Sequence, residues 1–163
     1  MKKVAESFLL PCTIENFWRV FLDADYDKAL YLEELQFKDY KVLSWDDKSR
    51  KLRLIPRVNL PGPVANLFGD TFAYEQHSTL DRQAGVWSWK MVHPAGSKSF
   101  LSTSGTIRIA AVGDAQCRRS DEVAIEAHVF GLGGLIESSV EKELRSSWAK
   151  EIAFFKRWLT KTA

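Results

Sequence analysis

The sequence predicts an α+β fold in which a curved, seven-stranded antiparallel sheet wraps around one long C-terminal helix. Two observations carry this prediction. The last third of the chain has an alternating strand at residues 122–130, a glycine-rich turn at 131–134 and one amphipathic helix at about 135–161. The segments before it mostly alternate apolar and polar residues, which is typical of strands. Because this helix is the only predicted element long enough to cover the sheet, we expect a space between the two.

Two short helices are predicted between the first and second strands. The chain begins with a short apolar strand at residues 4–10. Thr13 is a predicted N-cap, and apolar residues follow at helical spacing, which predicts a helix at residues 14–22. An acidic break at residues 23–27 precedes a second short helix that contains residues 29–33.

Strands then follow one another, separated by turns rich in Asp, Gly, Pro and Ser. Pro56 fits poorly in a central strand, so its strand should lie at an edge, carry a bulge or end early. Residues 59–69 are predicted to form a loop or a single helical turn. The strands of this part of the chain are predicted at residues 36–45, 51–58, 70–80, 85–93, 98–111 and 122–130.

The final helix carries a single apolar stripe. Its apolar residues recur in steps of three and four, which places them on one side of a helix. The stripe extends over about 24 residues, or roughly 36 Å, long enough to cross a sheet of about six or seven strands. It consists of Ile136, Val140, Leu144, Trp148, Ile152, Phe155 and Leu159.

Length, charge and cysteine content narrow the class of protein. The 163 residues predict one domain, residues 1–163, with room for a sizeable core. A net charge of +2 is too small to indicate nucleic acid or an anionic membrane as a partner. No run approaches the ~20 apolar residues of a membrane span. We interpret Cys12 and Cys117 as free thiols in a reducing cytoplasm, with a disulfide bridge as the alternative.

Neither a metal nor another cofactor is expected. The histidines, His77, His93 and His128, are far apart in sequence and lack metal-ligand spacing. The turn at residues 131–134 matches no phosphate-binding motif and follows an antiparallel strand, so its glycines are interpreted as room for a sharp strand-to-helix turn.

Two stretches of the sequence resemble a known superfamily. The stretch PCTIENFW, residues 11–18, follows an apolar strand, and VFGLGGLIE, residues 129–137, leads from a strand into the long helix. Both are similar to the corresponding parts of the START-like helix-grip superfamily, also called SRPBCC, which includes the birch pollen allergen, polyketide cyclases and lipid-transfer domains. The segment from LPGP, residues 60–63, to Gly69 also resembles an uncharacterised bacterial branch of that superfamily. The resemblance covers nearly the whole chain and implies the fold and the ligand class, but no catalytic residues.

The leading functional hypothesis is binding, with transport as an extension, of a hydrophobic molecule such as a lipid, polyketide or isoprenoid. Six Trp, ten Phe and four Tyr make up 12% of the chain, and such side chains line an apolar pocket or fill a core. One predicted strand places Trp87, Trp89, Met91 and His93 on the same face. The predicted ligand-binding residues are Tyr40, Tyr74, Trp87, Trp89, Met91, Ile107, Ile136, Val140 and Trp148.

Two further hypotheses stay open. An enzyme of the polyketide cyclase or dehydratase type would need an ionisable group inside the cavity. The candidates are Tyr74, through its hydroxyl, and His93, as a general acid or base at the cavity mouth. For both residues a structural role is the alternative: a tyrosine bonded to a backbone carbonyl and an ordinary strand-end histidine. The other hypothesis is a protein-interaction module with a filled core.

The segment between Pro63 and Gly69 carries the large apolar side chains Val64, Leu67 and Phe68. Large apolar residues on a connection pack down onto the core or meet a ligand or partner. We therefore predict that this loop gates the cavity entrance. The alternative is that Leu67 and Phe68 plug the end of the core.

Overall fold

A computed structural model describes residues 1–57, 60–68, 72–94 and 100–162 of the chain. Its strands are β1 (Lys2–Leu10), β2 (Asp39–Trp45), β3 (Ser49–Ile55), β4 (Tyr74–Asp81), β5 (Val86–Val92), β6 (Leu101–Val112) and β7 (Gln116–Ala127). The helices are α1 (Ile14–Phe21), α2 (Ala24–Ala29), α3 (Gly62–Phe68) and α4 (Gly133–Lys161). A π-helical turn, Leu30–Glu34, continues α2.

The described strands form one seven-stranded open sheet in the order β1-β7-β6-β5-β4-β3-β2, with antiparallel neighbours throughout. From β2 to β7, consecutive strands are neighbours. β1 pairs instead with β7, with Lys2 opposite Ile125 and Leu10 opposite Cys117. Short helices follow β1, and the long C-terminal helix packs on the sheet. The predicted α+β helix grip is therefore confirmed.

Side-chain caps define the starts of the two short helices. The Thr13 hydroxyl accepts a hydrogen bond from the backbone N–H of Asn16 at 3.2 Å, as its predicted N-cap role requires. The Asp23 carboxylate likewise accepts from the N–H of Tyr26 at 2.8 Å. The predicted acidic break at residues 23–27 is thus the cap and first turn of α2, where the helix dipole favours carboxylates.

The last strand begins and ends earlier than predicted. β7 starts at Gln116 and ends at Ala127, whereas the sequence pattern predicted residues 122–130. The polar stretch at 113–121 contains the charged side chains Arg119 and Asp121, which are nevertheless buried at 1% and 3% exposure. They form a salt bridge with each other, which offsets much of the cost of burying either charge.

The predicted strand ends at residues 58, 70 and 98 lie outside the described residues. β3 ends at Ile55, directly before Pro56, which agrees with the early end that a proline imposes.

The stripe of α4 faces the interior as predicted. The stripe residues Val140 and Leu144 are partly buried beside the sheet. Gly131 has a φ of +77°, a conformation that favours glycine, at the turn that leads into the helix. None of the described helices is both long and apolar enough to cross a membrane. The buried stripe residues are Ile136, Trp148, Ile152, Phe155 and Leu159.

Two apolar clusters fill the space at the ends of α4. One surrounds α1, α2 and the C-terminal half of α4, where the ring of Phe155 lies 5.3 Å from that of Phe17 and 5.9 Å from that of Tyr26. The other joins α3 to the N-terminal half of α4 and includes Val64 and Ile136. The sheet and α4 connect these clusters, and the space between them holds the candidate site.

Candidate functional site

A cavity of about 270 Å³ lies between the inward face of the sheet and α4. The sheet contributes side chains from β3 to β7, and α4 contributes Val140 and Leu144. Most of the wall is aromatic or aliphatic. Half-buried side chains such as Leu35 and Leu60 line one part, and the buried side chains Phe21 and Trp87 line another, which we call the inner end.

Strand register determines which side chains reach the cavity. Trp87, Trp89 and Met91 alternate along β5, so they share the inward face as predicted. On β6, Gly105 lies opposite Trp89. A methyl group on Gly105 would lie 2.9 Å from the Trp89 indole and 2.7 Å from the carbonyl oxygen of Glu122. The missing side chain at position 105 therefore makes room for this indole in the wall.

We expect Gly105→Ala to destabilise the protein by about 1–3 kcal/mol, the usual range for overpacking, and to displace the Trp89 ring. The reason is the 2.7 Å approach to a backbone oxygen, which cannot move without disturbing β7. Urea denaturation followed by tryptophan fluorescence measures both effects. The matched control is Gly134→Ala in α4, where an added methyl group meets no described atom within 4 Å. Equal stability of the two variants would contradict the prediction.

A buried arginine occupies the inner end of the cavity. Arg50 on β3 is 3% exposed, and its Nη1 donates a hydrogen bond to Oδ1 of Asp27 at 2.9 Å. The other carboxylate oxygen of Asp27 accepts from the Tyr40 hydroxyl at 2.6 Å. The Arg50 guanidinium carbon lies 4.6 Å from the centroid of the Trp87 ring and 4.8 Å from that of Trp45. Cation–π attraction of this kind stabilises a desolvated guanidinium.

A second buried arginine joins the sheet to α4 beside the cavity. Arg119 donates from Nε and Nη2 to both carboxylate oxygens of Asp121, at 2.7 and 2.8 Å. Its Nη1 donates to Glu151 of α4 at 2.8 Å. The guanidinium carbons of Arg119 and Arg50 lie 6.0 and 5.8 Å from the centroid of the same ring, Phe21. The inner end is therefore charged, although its surroundings are aromatic.

Burial and pairing together determine the protonation of these groups. Burial raises the pKa of Asp27, and the guanidinium of Arg50 and the hydroxyl of Tyr40 counteract part of that effect. Burial alone would lower the pKa of Arg119, but its two carboxylate partners raise it well above the ordinary value. Arg119 is therefore a permanent cation in the folded protein.

Six of the nine predicted ligand-binding residues line the cavity: Tyr74, Trp87, Trp89, Met91, Ile107 and Val140. The other three lie elsewhere. The Tyr40 hydroxyl donates a hydrogen bond to Asp27. Ile136 is fully buried in the cluster next to α3, and the Trp148 ring lies 6.2 Å from that of Phe8. These three residues stabilise the fold around the cavity. Ligand binding by the six lining residues stays a prediction.

The two catalytic candidates have different surroundings. Tyr74 lines the cavity, and its hydroxyl has no hydrogen-bond partner in the part of the chain that the structure describes. Burial raises the pKa of Tyr74, so the phenol is neutral. His93 is not a lining residue, and its Nε2 is hydrogen-bonded to the backbone carbonyl of Leu101. That contact matches the alternative of an ordinary strand-end histidine.

The predicted entrance loop forms the short helix α3, although residues 59 and 69 of the predicted segment lie outside the described residues. Val64 is fully buried, Phe68 is 8% exposed and Leu67 is 38% exposed. Phe68 is the one of the three that lines the cavity. Val64 packs into the core, so the gating role rests on Phe68 and stays a prediction.

The charged inner end of the cavity was not predicted, although the sequence contains a signal for it. Arg50 is in phase with Leu52 and Leu54 on the buried face of β3, and Arg119 is in phase with Val123 on β7. A charged residue that continues a buried alternation indicates a buried ion pair. Across the described ranges, no group of three His, Cys, Asp or Glu residues is placed to hold a metal ion.

A family model with the description "Protein of unknown function (DUF2505)" matches residues 7–159. The chain belongs to this family. No curated protein matches the sequence of this DUF2505 chain.

Solved structures show the same fold at low sequence identity. The aromatase/cyclase ZhuI from Streptomyces sp. R1128 is 11% identical, with a TM-score of 0.73 over 98% of the DUF2505 chain and 94% of its own. TTHA0849 from Thermus thermophilus is 14% identical, with a TM-score of 0.70 over 99% of both chains. Norcoclaurine synthase from Thalictrum flavum is 12% identical, with a TM-score of 0.70 over 99% of the DUF2505 chain and 88% of its own. These likenesses establish the START-like helix-grip fold.

Proposed function

We propose that this protein binds a hydrophobic small molecule in the cavity between the sheet and α4. The observation that carries the proposal is a space of about 270 Å³ with mainly aromatic and aliphatic walls. Transfer of apolar ligand surface from water into such a site is favourable, by about 25 cal/mol per Å². The site is formed by regular strands and a helix, so little ordering opposes binding. A filled interior, which the interaction-module hypothesis requires, does not fit a cavity of this size.

Two observations support binding of a ligand that contains rings, such as a polyketide. The wall presents flat rings, among them Phe72, Tyr74, Trp87 and Trp89. A protein of the same fold, norcoclaurine synthase, is described in complex with dopamine and hydroxybenzaldehyde, which are small aromatic molecules. A lipid, polyketide or isoprenoid ligand remains our proposal for this chain.

The test measures binding of N-phenyl-1-naphthylamine, a neutral fluorescent probe of apolar sites, to wild-type protein and to Val140→Phe. Val140 lines the cavity from α4, so a phenyl ring there should occupy ligand space. We expect saturable binding to the wild type and binding at least about tenfold weaker in the variant, the effect of losing roughly 1.4 kcal/mol.

The matched control is Val42→Phe, which adds the same ring at a position of β2 that is 42% exposed. It should leave probe binding unchanged. Equal binding by Val140→Phe and the wild type would contradict the proposed site, and no saturable binding to the wild type would contradict the proposed function. Native mass spectrometry of the purified protein, with identification of any extracted molecule, would then define the natural ligand.

A second candidate function is catalysis on the bound molecule, and the free hydroxyl of Tyr74 favours it. A neutral phenol inside an apolar cavity can donate a proton or a hydrogen bond to a ligand carbonyl. Conversion of a reactive polyketide by the wild type but not by Tyr74→Phe, with unchanged probe affinity, would support an enzyme. Equal conversion by both proteins would eliminate Tyr74 as the catalytic group.

We further propose that the protein carries its ligand in the cytoplasm and does not bind nucleic acid. The location is supported by Cys12 and Cys117, buried free thiols whose sulfur atoms lie 3.9 Å apart without a bond. A pair this close would be expected to oxidise in an extracellular compartment. A mass lower by two hydrogens in protein taken from its source cell would contradict this location.

A further inference from the structure

Arg50 at the inner end of the cavity, and Ser78 on the strand beside it, have polar atoms without hydrogen-bond partners in the part of the chain that the structure describes. Within the described residues, Nε of Arg50 and Oγ of Ser78 are buried and unpaired. Arg50 and Ser78 lie directly opposite each other on β3 and β4. Each residue is 3% exposed, and Arg50 forms part of the cavity wall. Two neighbouring hydrogen-bonding groups therefore lack partners where the cavity meets the sheet.

An N–H group buried without an acceptor is costly, and more than about 90% of buried polar groups in native proteins are paired. Asp27 does not fill this need, because its carboxylate accepts a hydrogen bond from Nη1 of Arg50 and not from Nε. The rings of Trp87 and Trp45 contact the guanidinium but offer no oxygen atom. Arg50 lines the cavity, so a molecule held there can supply the missing acceptor.

The charges around the inner end determine what kind of acceptor fits. Arg50 pairs with Asp27, and Arg119 pairs with both Asp121 and Glu151. Two guanidinium groups thus meet three carboxylates, with one negative charge in excess. At the inner end, a ligand carboxylate would add a buried anion where both guanidinium groups are already paired, which is unfavourable. A carbonyl oxygen accepts a hydrogen bond without adding a charge.

We propose that the ligand carries a neutral hydrogen-bond acceptor, such as a ketone, ester or amide carbonyl, and that Arg50 Nε donates to it at the inner end. The unpaired hydroxyl of Ser78, the cross-strand neighbour of Arg50, is a second potential donor next to this residue. The apolar body of the ligand then lies against Trp87, Trp89 and Met91. This inference rests on the proposed function and specifies the ligand class for that site.

The experiment compares three naphthalenes of nearly equal size: 2-ethylnaphthalene, which has no acceptor, 2-acetylnaphthalene, a ketone, and 2-naphthoate, an anion. Calorimetry gives each dissociation constant for the wild type, for Arg50→Lys and for the control Arg53→Lys. Lysine at position 50 keeps a cation for Asp27 but has no N–H at the Nε position. Arg53 lies on the same strand but is exposed.

We expect the wild type to bind the ketone with a dissociation constant roughly tenfold or more below that of the hydrocarbon, as for a hydrogen bond from a charged donor. The dissociation constant of the anion should exceed that of the ketone by a similar factor. Arg50→Lys should lose the preference for the ketone, and Arg53→Lys should keep it. An independent readout in the wild type is the infrared carbonyl stretch of bound 2-acetylnaphthalene, expected below its value in hexane. This readout decides the question even if Arg50→Lys does not fold.

Three results would overturn the inference. A ketone preference that survives in Arg50→Lys would exclude Arg50 as the donor, and a carbonyl stretch equal to that in hexane would exclude any hydrogen bond. Tightest binding of 2-naphthoate would show that the cavity prefers an anion to a neutral acceptor. If 2-ethylnaphthalene still binds in any of these three cases, the proposed function stands. If none of the three naphthalenes binds to the wild type, the proposed function fails and the inference fails with it.

Discussion

Arg119→Met should lower the free energy of unfolding by about 3–5 kcal/mol, the usual cost of removing one partner from a buried ion pair. The substitution leaves Asp121, which is 3% exposed, and Glu151 without their shared cation. Methionine has nearly the volume of the arginine stem, so the loss comes from the unpaired carboxylates. Urea denaturation followed by circular dichroism measures the effect.

Two further variants separate the charge effect from loss of packing. Arg118→Met removes the neighbouring arginine, which is exposed on the other face of β7, and should change stability by less than about 0.5 kcal/mol. Arg119→Met combined with Asp121→Leu and Glu151→Leu should recover much of the lost stability, because no unpaired charge remains. If the triple variant is no more stable than Arg119→Met, uncompensated charge is not the cause.

Phe155→Ala should cost about 3–5 kcal/mol, the range for deletion of a large aromatic side chain from a core. Phe155 has no exposed surface, and its ring contacts those of Phe17 and Tyr26, which belong to α1 and α2. The substitution therefore leaves a void where both short helices meet α4. Thermal and urea denaturation should show a single transition at lower temperature and lower urea concentration.

Phe130→Ala is the matched control for this prediction, since the Phe130 side chain is fully exposed in the turn before α4. We expect a change within about 0.5 kcal/mol, as for most surface substitutions. Comparable losses in the two variants would mean that the α1–α2–α4 cluster contributes less to stability than its burial indicates.

Periodicity predicted the parts of the fold in which one face of an element is buried along its whole length. The α4 stripe and the inward face of β5 are of this kind, whereas the Thr13 cap was predicted from its residue type just before the helix. The same periodicity could not locate the cavity, because core and cavity side chains lie on one face. Ile136 and Trp148 share the stripe with Val140, yet their neighbours fill the space around them and leave Val140 at the cavity.

The charged residues of the inner end were missed for a different reason. A run of polar residues before Glu122 resembles a loop when each residue is considered alone, since arginine and aspartate are rarely buried. Arg119 and Asp121 stay in the strand because they satisfy each other, and their third partner, Glu151, comes from a distant helix. Such compensation depends on tertiary contacts, so strand propensity did not reveal it.

The pairing of β1 with β7 also governs the order in which the sheet can assemble during synthesis. The cross-strand partners Ser7 and Ser120 are 113 positions apart, whereas β2 to β7 are joined by successive local pairings. Closing so long a loop has a high entropic cost, and non-local pairing slows folding. β1 leaves the ribosome well before β7, so it stays unpaired until β7 has been synthesised. Until the two strands pair, one side of β7 is an open sheet edge that a chaperone or another chain can bind.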